Sequence, residues 1–331
     1  MATARKKRTS LEEELCELRS LTVGPWTSEF GERLREALSS PRSHVVARAA
    51  KIVRERALEG FGPLLVAAFH RFLKDPQKTD PGCDAKLAIL EALDVIAHPD
   101  PDPFLVAARL VQKQPSWGLP VDTAAPSRAR AILALANMGY RDILLLAAEL
   151  LADPEAPVRQ ASAEALAHCG DRAAAGLLLL MSYRQEEDPV VQTSYLCGIL
   201  TLAPDWGMPR LRTLLFGEDP TLRELAAIAL GQSGVPEAVD LLVEFYRATP
   251  LASERAPALR GLGLHRSEKA LEAVLDVVSN GTDQDAREAV KALSGRRFDK
   301  LVPERTREAA MRNSEAHLEE VLAETFPDND A

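Results

Sequence analysis

Aromatic residues make up only 5% of the 331 residues, and β-branched residues are also few. Sheets are built mainly from these residue types. Their scarcity excludes an all-β fold and disfavours an ordinary α/β fold. It also weakens functions that stack nucleic-acid bases on aromatic rings, because the three tryptophans, Trp26, Trp117 and Trp206, lie far apart in the chain.

Long apolar runs are absent as well. No stretch reaches the 18 apolar residues that a membrane span requires. The basic cluster from Arg5 to Arg8 could begin a signal peptide, but five charged side chains interrupt residues 11–21, where the apolar segment would have to lie. We therefore expect no membrane span and a cytoplasmic location.

Cysteine and histidine are sparse and scattered. The four cysteines form no C-x-x-C pair, which excludes a disulfide framework and a structural zinc site. None of the six histidines is followed by Glu. We expect no metal and no cofactor, and we interpret Cys169 and Cys197 as buried free thiols on helices.

Catalytic motifs are missing too. Gly261-Leu-Gly263 begins like a dinucleotide-binding loop, but it has no third glycine and follows no predicted strand. The segment from Gly231 to Gly234 is one residue short of a nucleophile elbow and is better explained as the end of a helix. The sequence therefore predicts a protein that is not an enzyme.

Alanine and leucine are abundant instead. The chain has 51 Ala and 49 Leu, about 30% of all residues. Both residue types favour helices. The composition predicts an all-α protein.

A unit of about 32 residues repeats from residue 127 onward. Each unit predicts two helices, A and B. In one copy, helix A covers about 208–216 and helix B about 220–232, with Asp219 as the N-cap and Gly234 as the left-handed stop. Neither helix can bury its apolar stripe alone, so pairs must stack on pairs in a solenoid. One position of the repeat, usually an arginine, recurs at intervals of 31 to 33 residues. Its copies are Arg128, Arg159, Gln192, Arg223, Arg255 and Arg287.

The segments Asp153 to Gly170 and Asp219 to Gly231 resemble the HEAT repeat, most closely its short bacterial form named after phycobilin lyases. The resemblance covers about residues 127–297. It implies an α-solenoid, a right-handed superhelix of stacked helix pairs. It also implies that the repeated side chains form a structural ladder rather than a catalytic site. The expected ladder residues are Asp153, Arg159, Asp188, Asp219, Arg223, Arg255 and Arg287.

The rhythm of the repeat predicts how the chain is organised. We expect a basic disordered tail at 1–10, and irregular helical pairs at 11–126 that include a helix over about 104–113 and a Pro-rich loop at 114–126. Regular repeats follow at 127–297, and a C-terminal cap helix with an acidic tail at 298–331. All of these would form one continuous solenoid.

The exposed positions of the B helices predict the partner-binding surface, on the concave side of the solenoid. The apolar members of this set could floor a groove for a partner helix, or could pack against adjacent repeats. Trp117 lies in the Pro-rich loop that interrupts the repeat. Its side chain could anchor a partner or fold back over the solenoid edge. The candidates are Trp117, Gln160, Glu164, Leu196, Leu200, Glu224, Ile228, Leu259 and Arg260.

Together these patterns favour a non-catalytic protein–protein interaction scaffold in the bacterial cytoplasm, with an unknown protein partner. Residues 141–260 carry a net charge of −7, which disfavours binding to a phosphate backbone. The alternatives are a nucleic-acid-binding module or a DNA glycosylase-like enzyme on the same fold, or a lyase-type relative that acts on a protein-bound chromophore.

Overall fold

The computed structural model describes Leu18 and residues 27–314 and 316–327. The basic tail predicted at 1–10 and the last four residues of the acidic tail lie outside the described residues. The described part is all-α except for one short β-hairpin. The chain divides into two compact units, Met1–Cys169 and Gly170–Ala331, and each is treated by itself below. A single continuous solenoid stays a prediction.

Unit 1 is a stack of helix pairs. Its B helices are α2, α5, α7 and α9, each packed on the next, and the remaining helices flank them. The elements are α1 (Ser28–Leu38), α2 (Ser43–Glu55), α3 (Gly62–Phe72), α4 (Pro76–Thr79), α5 (Asp84–Val95), α6 (Asp102–Ala107), β1 (Lys113–Gln114), β2 (Val121–Asp122), α7 (Ala125–Asn137), α8 (Ile143–Leu150) and α9 (Ala156–His168).

One helix predicted in this unit is wrong. The sequence pattern suggested a helix over about 104–113, but α6 ends at Ala107 and β1 begins at Lys113. Hydrogen bonds from outside the segment are the reason. Asp122 accepts the backbone N–H of Gln112, and Arg128 donates to the carbonyl of Leu110.

Unit 2 is also a stack of helix pairs. Its B helices α11, α13, α15 and α17 pack side by side, and A helices alternate with them along the chain. The helices are α10 (Arg172–Ser182), α11 (Pro189–Leu202), α12 (Pro204–Leu215), α13 (Pro220–Gln232), α14 (Pro236–Ala248), α15 (Ala252–Leu264), α16 (Glu268–Asn280), α17 (Asp283–Ala292), α18 (Val302–Arg312) and α19 (Glu319–Thr325).

The helix boundaries in unit 2 follow the predicted caps. Asp219 accepts the backbone N–H groups of Thr221 and Leu222 at 2.8 and 3.2 Å, so α13 begins where the N-cap predicts. Gly234 has a φ of +67° and ends the helix, as predicted. Helix A of this copy, α12, begins at Pro204, four residues earlier than predicted.

The C-terminal cap consists of two helices where the sequence predicted one. The break falls at Asn313, whose side-chain amide donates to the carbonyls of Val278 and Gly281 at 3.0 and 3.1 Å. These bonds tie the break to the end of α16. The side-chain oxygen of Asn313 also accepts the backbone N–H of Ala316 at 3.2 Å, a local bond of the kind that competes with continued helix.

Glycines let the B helices of unit 2 approach backbone to backbone. A Cβ on Gly261 would lie 2.6 Å from the carbonyl oxygen of Ala227 on α13. A Cβ on Gly231 would clash with the carbonyl of Gly261, and one on Gly263 with the carbonyl of Ala292 on α17. The Gly261-Leu-Gly263 segment is therefore a helix-packing seam. It is not a phosphate-binding loop.

Candidate partner-binding surfaces

The interruption of the repeat in unit 1 is a β-hairpin with a bare aromatic tip. β1 and β2 pair antiparallel, with Lys113 opposite Asp122. Trp117 is fully exposed at the turn, and Leu119 beside it is 87% exposed. The alternative in which Trp117 folds back over the repeats is therefore wrong. The side chain is presented to solvent, as a partner anchor would require.

Buried ion pairs lock one side of the hairpin root. Arg128 of α7 donates to Asp122 at 2.7 Å and to Asp153 at 2.8 and 3.0 Å, and only 2% of its side chain is exposed. Asp122 also accepts the backbone N–H groups of Gln112 and Ala124 at 3.0 Å. Charged side chains this deeply buried persist only when they are paired and hydrogen-bonded. The hairpin is consequently held in one position.

A second buried pair holds the other side of the root. Lys86 of α5 donates to Asp80 at 2.8 Å, and both side chains are almost fully buried. Gln112 donates from its amide to the carbonyls of Asp80 and Pro81, both at 2.8 Å. This contact connects the hairpin to α5. The sequence did not predict this pair, although a lysine at the start of the apolar run 87–90 is a signal of it.

The charges at the root shift each other's protonation. Burial by itself would raise the pKa of Asp122, but hydrogen bonds from Gln112, Arg128 and Ala124 outweigh it and hold this pKa below its usual range. Burial likewise opposes the charge on Arg128, but Asp153 and Asp122 raise its pKa above the ordinary value. Asp122 and Arg128 are therefore both charged at neutral pH.

The B-helix face of unit 2 is defined here by the outward residues of α13, α15 and α17. Arg260 lies at its centre. It donates to Glu224 through Nε at 2.6 Å and lies 3.9 Å from Glu288. These three charges join three successive helices in one row, and Ile228 is half-buried beside them. Two predicted candidates, Glu224 and Arg260, are thus in direct contact.

Three other candidates are not on this surface. Leu196, Leu200 and Leu259 are at most 1% exposed and belong to the hydrophobic core of unit 2. Their predicted role as partner contacts is wrong. A solenoid helix is covered by neighbours on both sides, so its buried arc is wider than that of an ordinary surface helix.

Unit 1 has a polar counterpart on α9. Gln160 donates to Glu164 at 2.9 Å across one helical turn, and Glu164 is exposed. Both side chains lie on the outward side of a B helix, where the repeat predicted them. They lie in unit 1, whereas the row around Arg260 lies in unit 2.

The repeated Asp and Arg residues stabilise turns and neighbouring helices. Arg159 and Arg223 donate to backbone carbonyls of the turn just before their own helix, at 2.9 Å. Arg255 makes the same kind of bond, to the carbonyl of Pro250 at 2.9 Å, and also donates to Asp285 of α17 at 2.9 Å. Arg287 donates to Asp283 of its own helix at 3.2 Å. Asp188 and Asp219 cap the N-termini of their helices, and Asp153 accepts a hydrogen bond from Arg128. These contacts are structural ones.

The remaining reactive side chains also have structural environments. His265 is buried between the carbonyl of Val235, 3.3 Å from Nε2, and Ser267, 2.9 Å from Nδ1. Burial raises the pKa of the half-buried Cys197 thiol to about 11, so it is not a nucleophile at neutral pH. Within residues 27–314 and 316–327, no group of three His, Cys, Asp or Glu side chains could hold a metal ion.

Comparison with protein families identifies the repeat. A model described as HEAT repeats matches residues 119–196 and 208–294. The chain is a HEAT-repeat protein. The resemblance to the HEAT repeat and the all-α solenoid class predicted from it are thereby confirmed. The unmatched gap at 197–207 lies in the copy where Gln192 replaces the arginine.

Solved structures that are distantly similar to this HEAT-repeat protein include the following three, each given with its sequence identity, coverage and TM-score. The complex of CpcE and CpcF of phycocyanin lyase from Nostoc is 19% identical, covers 87% of this chain and 96% of that chain, and has a TM-score of 0.35. An engineered protein is 17% identical, with 97% and 95% coverage and a TM-score of 0.38. Human deoxyhypusine hydroxylase is 17% identical, with 95% and 96% coverage and a TM-score of 0.27.

All three TM-scores are below 0.5, so these similarities do not indicate a function for this chain. No curated protein matches the chain. Over the residues that the structure describes, none of the helices combines the length and the apolar character needed to cross a membrane.

Proposed function

We propose that this HEAT-repeat protein is a non-catalytic scaffold that binds a protein partner on the B-helix face, the predicted concave surface. One observation carries the proposal: Glu224, Arg260 and Glu288 form a continuous charged row across three helices of unit 2. The glycine seam brings these helices so close that their outward side chains form one uninterrupted surface.

The charges of the row favour a protein over a nucleic acid. One carboxylate lies on each side of Arg260, and Glu164 is exposed on the corresponding helix of unit 1. A nucleic-acid groove requires a stripe of unopposed Lys and Arg. A polar surface with alternating signs, such as this row, suits a complementary protein surface, where charge pairing sets specificity and register.

The location proposed for this function is the bacterial cytoplasm. It is supported by the isolated cysteines, of which Cys83, Cys169 and Cys197 are free thiols.

Matched charge swaps test the proposal. The double variant Glu224→Arg/Arg260→Glu keeps an ion pair between α13 and α15 but reverses its order on the B-helix face. The control Arg212→Glu/Glu244→Arg reverses the pair between α12 and α14, which are A helices; its original atoms lie 2.8 Å apart. Neither swap changes the net charge of the chain.

The readout is quantitative capture from the native host, with mass spectrometry of the bound proteins. We expect the B-face swap to lose at least 90% of one protein partner, while the A-helix swap retains it. Equal recovery by both variants would overturn the proposal. So would binding to duplex DNA that falls with salt, since a nucleic-acid function would then hold the face.

A further inference from the structure

We propose that the hairpin of unit 1 is a self-association element, through which two copies of this chain pair by their Trp117 tips. The hairpin is the segment 110–124, from the end of the α6 turn to the start of α7. This inference goes beyond partner binding by the B-helix face, because it concerns another surface and another occupant.

The exposed apolar surface of the hairpin is concentrated in a few residues. Trp117 and Leu119 are almost bare, and Val111 and Val121 are 59% and 54% exposed. Isolated exposed apolar residues are ordinary on protein surfaces, but a cluster of this kind marks an interaction site. Ser116 further fixes the tip by donating to the carbonyl of Leu119 at 2.7 Å.

The rigid root makes this exposure persistent. A mobile loop could turn its tryptophan inward, whereas this hairpin is held by Arg128 from α7 and by Gln112 against the start of α5. Pre-ordering of the segment also removes much of the entropy loss on association. The hairpin therefore exposes its tip and is ready to bind.

Charge favours a second copy as the occupant. The chain carries a net charge of −9, so most of its faces would bring carboxylates together in a symmetric contact. Residues 110–121 contain only one charged side chain, Lys113. Two hairpins can meet with almost no like-charge repulsion. A two-fold pair needs only one self-complementary patch, and such dimers are the commonest oligomers.

The available area sets the strength of the pair. A tryptophan buries up to about 250 Å², and with its three neighbours the hairpin offers on the order of 500 Å² per copy. A pair would bury roughly 1,000 Å², at the weak, reversible end of specific interfaces. The pair would present two B-helix faces, and a partner with two sites would bind it with increased avidity.

The test is sedimentation velocity of the purified full chain from about 1 to 300 µM, the range where weak pairs of this area dissociate. We expect a reversible monomer–dimer equilibrium. We expect Trp117→Ala/Leu119→Ala to weaken it at least tenfold, without changing the circular dichroism or the melting temperature. The control Leu145→Ala/Leu180→Ala removes leucines that are 66% and 62% exposed on helices, and should leave the equilibrium unchanged.

Three results would overturn the pairing. One is a wild-type chain that stays monomeric throughout. Another is a dimer that persists in the Trp117 variant. The third is a monomer whose tryptophan fluorescence shifts to the blue only with phosphatidylcholine–phosphatidylglycerol vesicles or with the captured partner, where the shift is absent in the Trp117 variant. None of these results affects the B-face charge swap, so failure of either proposal can be distinguished.

Discussion

At the residue scale, the glycine seam is the tightest constraint in the described part of unit 2. We predict that Gly261→Ala destabilises the chain by about 1–3 kcal/mol, as overpacking in a filled interface does, because the new Cβ meets the Ala227 carbonyl. Chemical denaturation followed by circular dichroism measures the change.

The matched control for the seam is Gly176→Ala in the middle of α10. A Cβ there has nothing within 4 Å, so it should instead stabilise the helix by up to about 1 kcal/mol. If Gly261→Ala were as harmless as Gly176→Ala, the close approach of the B helices would be contradicted.

Asp122 is the residue on which the hairpin root depends most. We predict that Asp122→Asn destabilises the chain by about 1–3 kcal/mol at pH 7, because the hairpin root loses a charged acceptor for Arg128, which keeps its pair with Asp153. Asp142→Asn breaks an exposed pair with Arg141 and should change little. Urea unfolding of the three proteins measures both effects.

The same substitution predicts a pH dependence. The folded-state pKa of Asp122 is lowered, so its stabilisation is complete above the unfolded value near 4 and is lost as the pH falls through the folded value. The gap in unfolding free energy between wild type and Asp122→Asn should therefore narrow below about pH 4. A gap that widened on acidification would contradict this assignment.

Residue chemistry was only partly predictable from the sequence. The N-cap Asp219 and the stop Gly234 follow local rules, so their roles could be predicted. Lys86 and Asp80 could not be paired in advance, because their burial depends on the hairpin packing over them. The burial of Leu196 depends on how wide an arc its neighbours cover, which periodicity does not report.

At the element scale, caps and ion pairs between helices set the repeat. Each A helix of unit 2 from α10 onward contacts the next A helix through one charged pair. The pairs are Arg172–Asp205, Arg212–Glu244, Lys269–Asp240 and Arg305–Glu268. These exposed pairs contribute little stability. They favour one register between neighbouring helices, since a shifted helix would place like charges together.

Caps should contribute more than these pairs. We predict that Asp219→Ala destabilises the chain by about 1 kcal/mol, because the N–H groups of Thr221 and Leu222 lose their acceptor. Asp219→Asn keeps a capping oxygen and should stay close to wild type. Thermal unfolding of the two variants distinguishes them; equal losses would indicate that charge, and not capping, is what Asp219 supplies.

Element prediction succeeded where one helix packs like its copies. The bounds of α13 follow from the repeat. The helix predicted over 104–113 ends early, because side chains outside the segment bind its backbone groups. Asp122 accepts the N–H of Gln112, and Arg128 donates to the carbonyl of Leu110.

At the scale of the whole molecule, the regular repeats and the hairpin that interrupts them provide two different binding surfaces. Unit 2 offers a charged row on regular B helices, and unit 1 offers a bare hairpin where the repeat is broken. A scaffold that pairs through one surface and binds through the other would act bivalently. The two surfaces have different chemistry, so a single variant should affect only one of them.

The dissociation constant of the captured partner, measured for three forms of the chain, tests the role of the B-helix face. Isothermal titration would compare wild type, Glu224→Arg/Arg260→Glu and Arg212→Glu/Glu244→Arg. We predict at least tenfold weaker binding for the B-face swap and a change below about twofold for the A-helix swap. A partner that bound the B-face swap as tightly as wild type, or that lost affinity only for the A-helix swap, would contradict it.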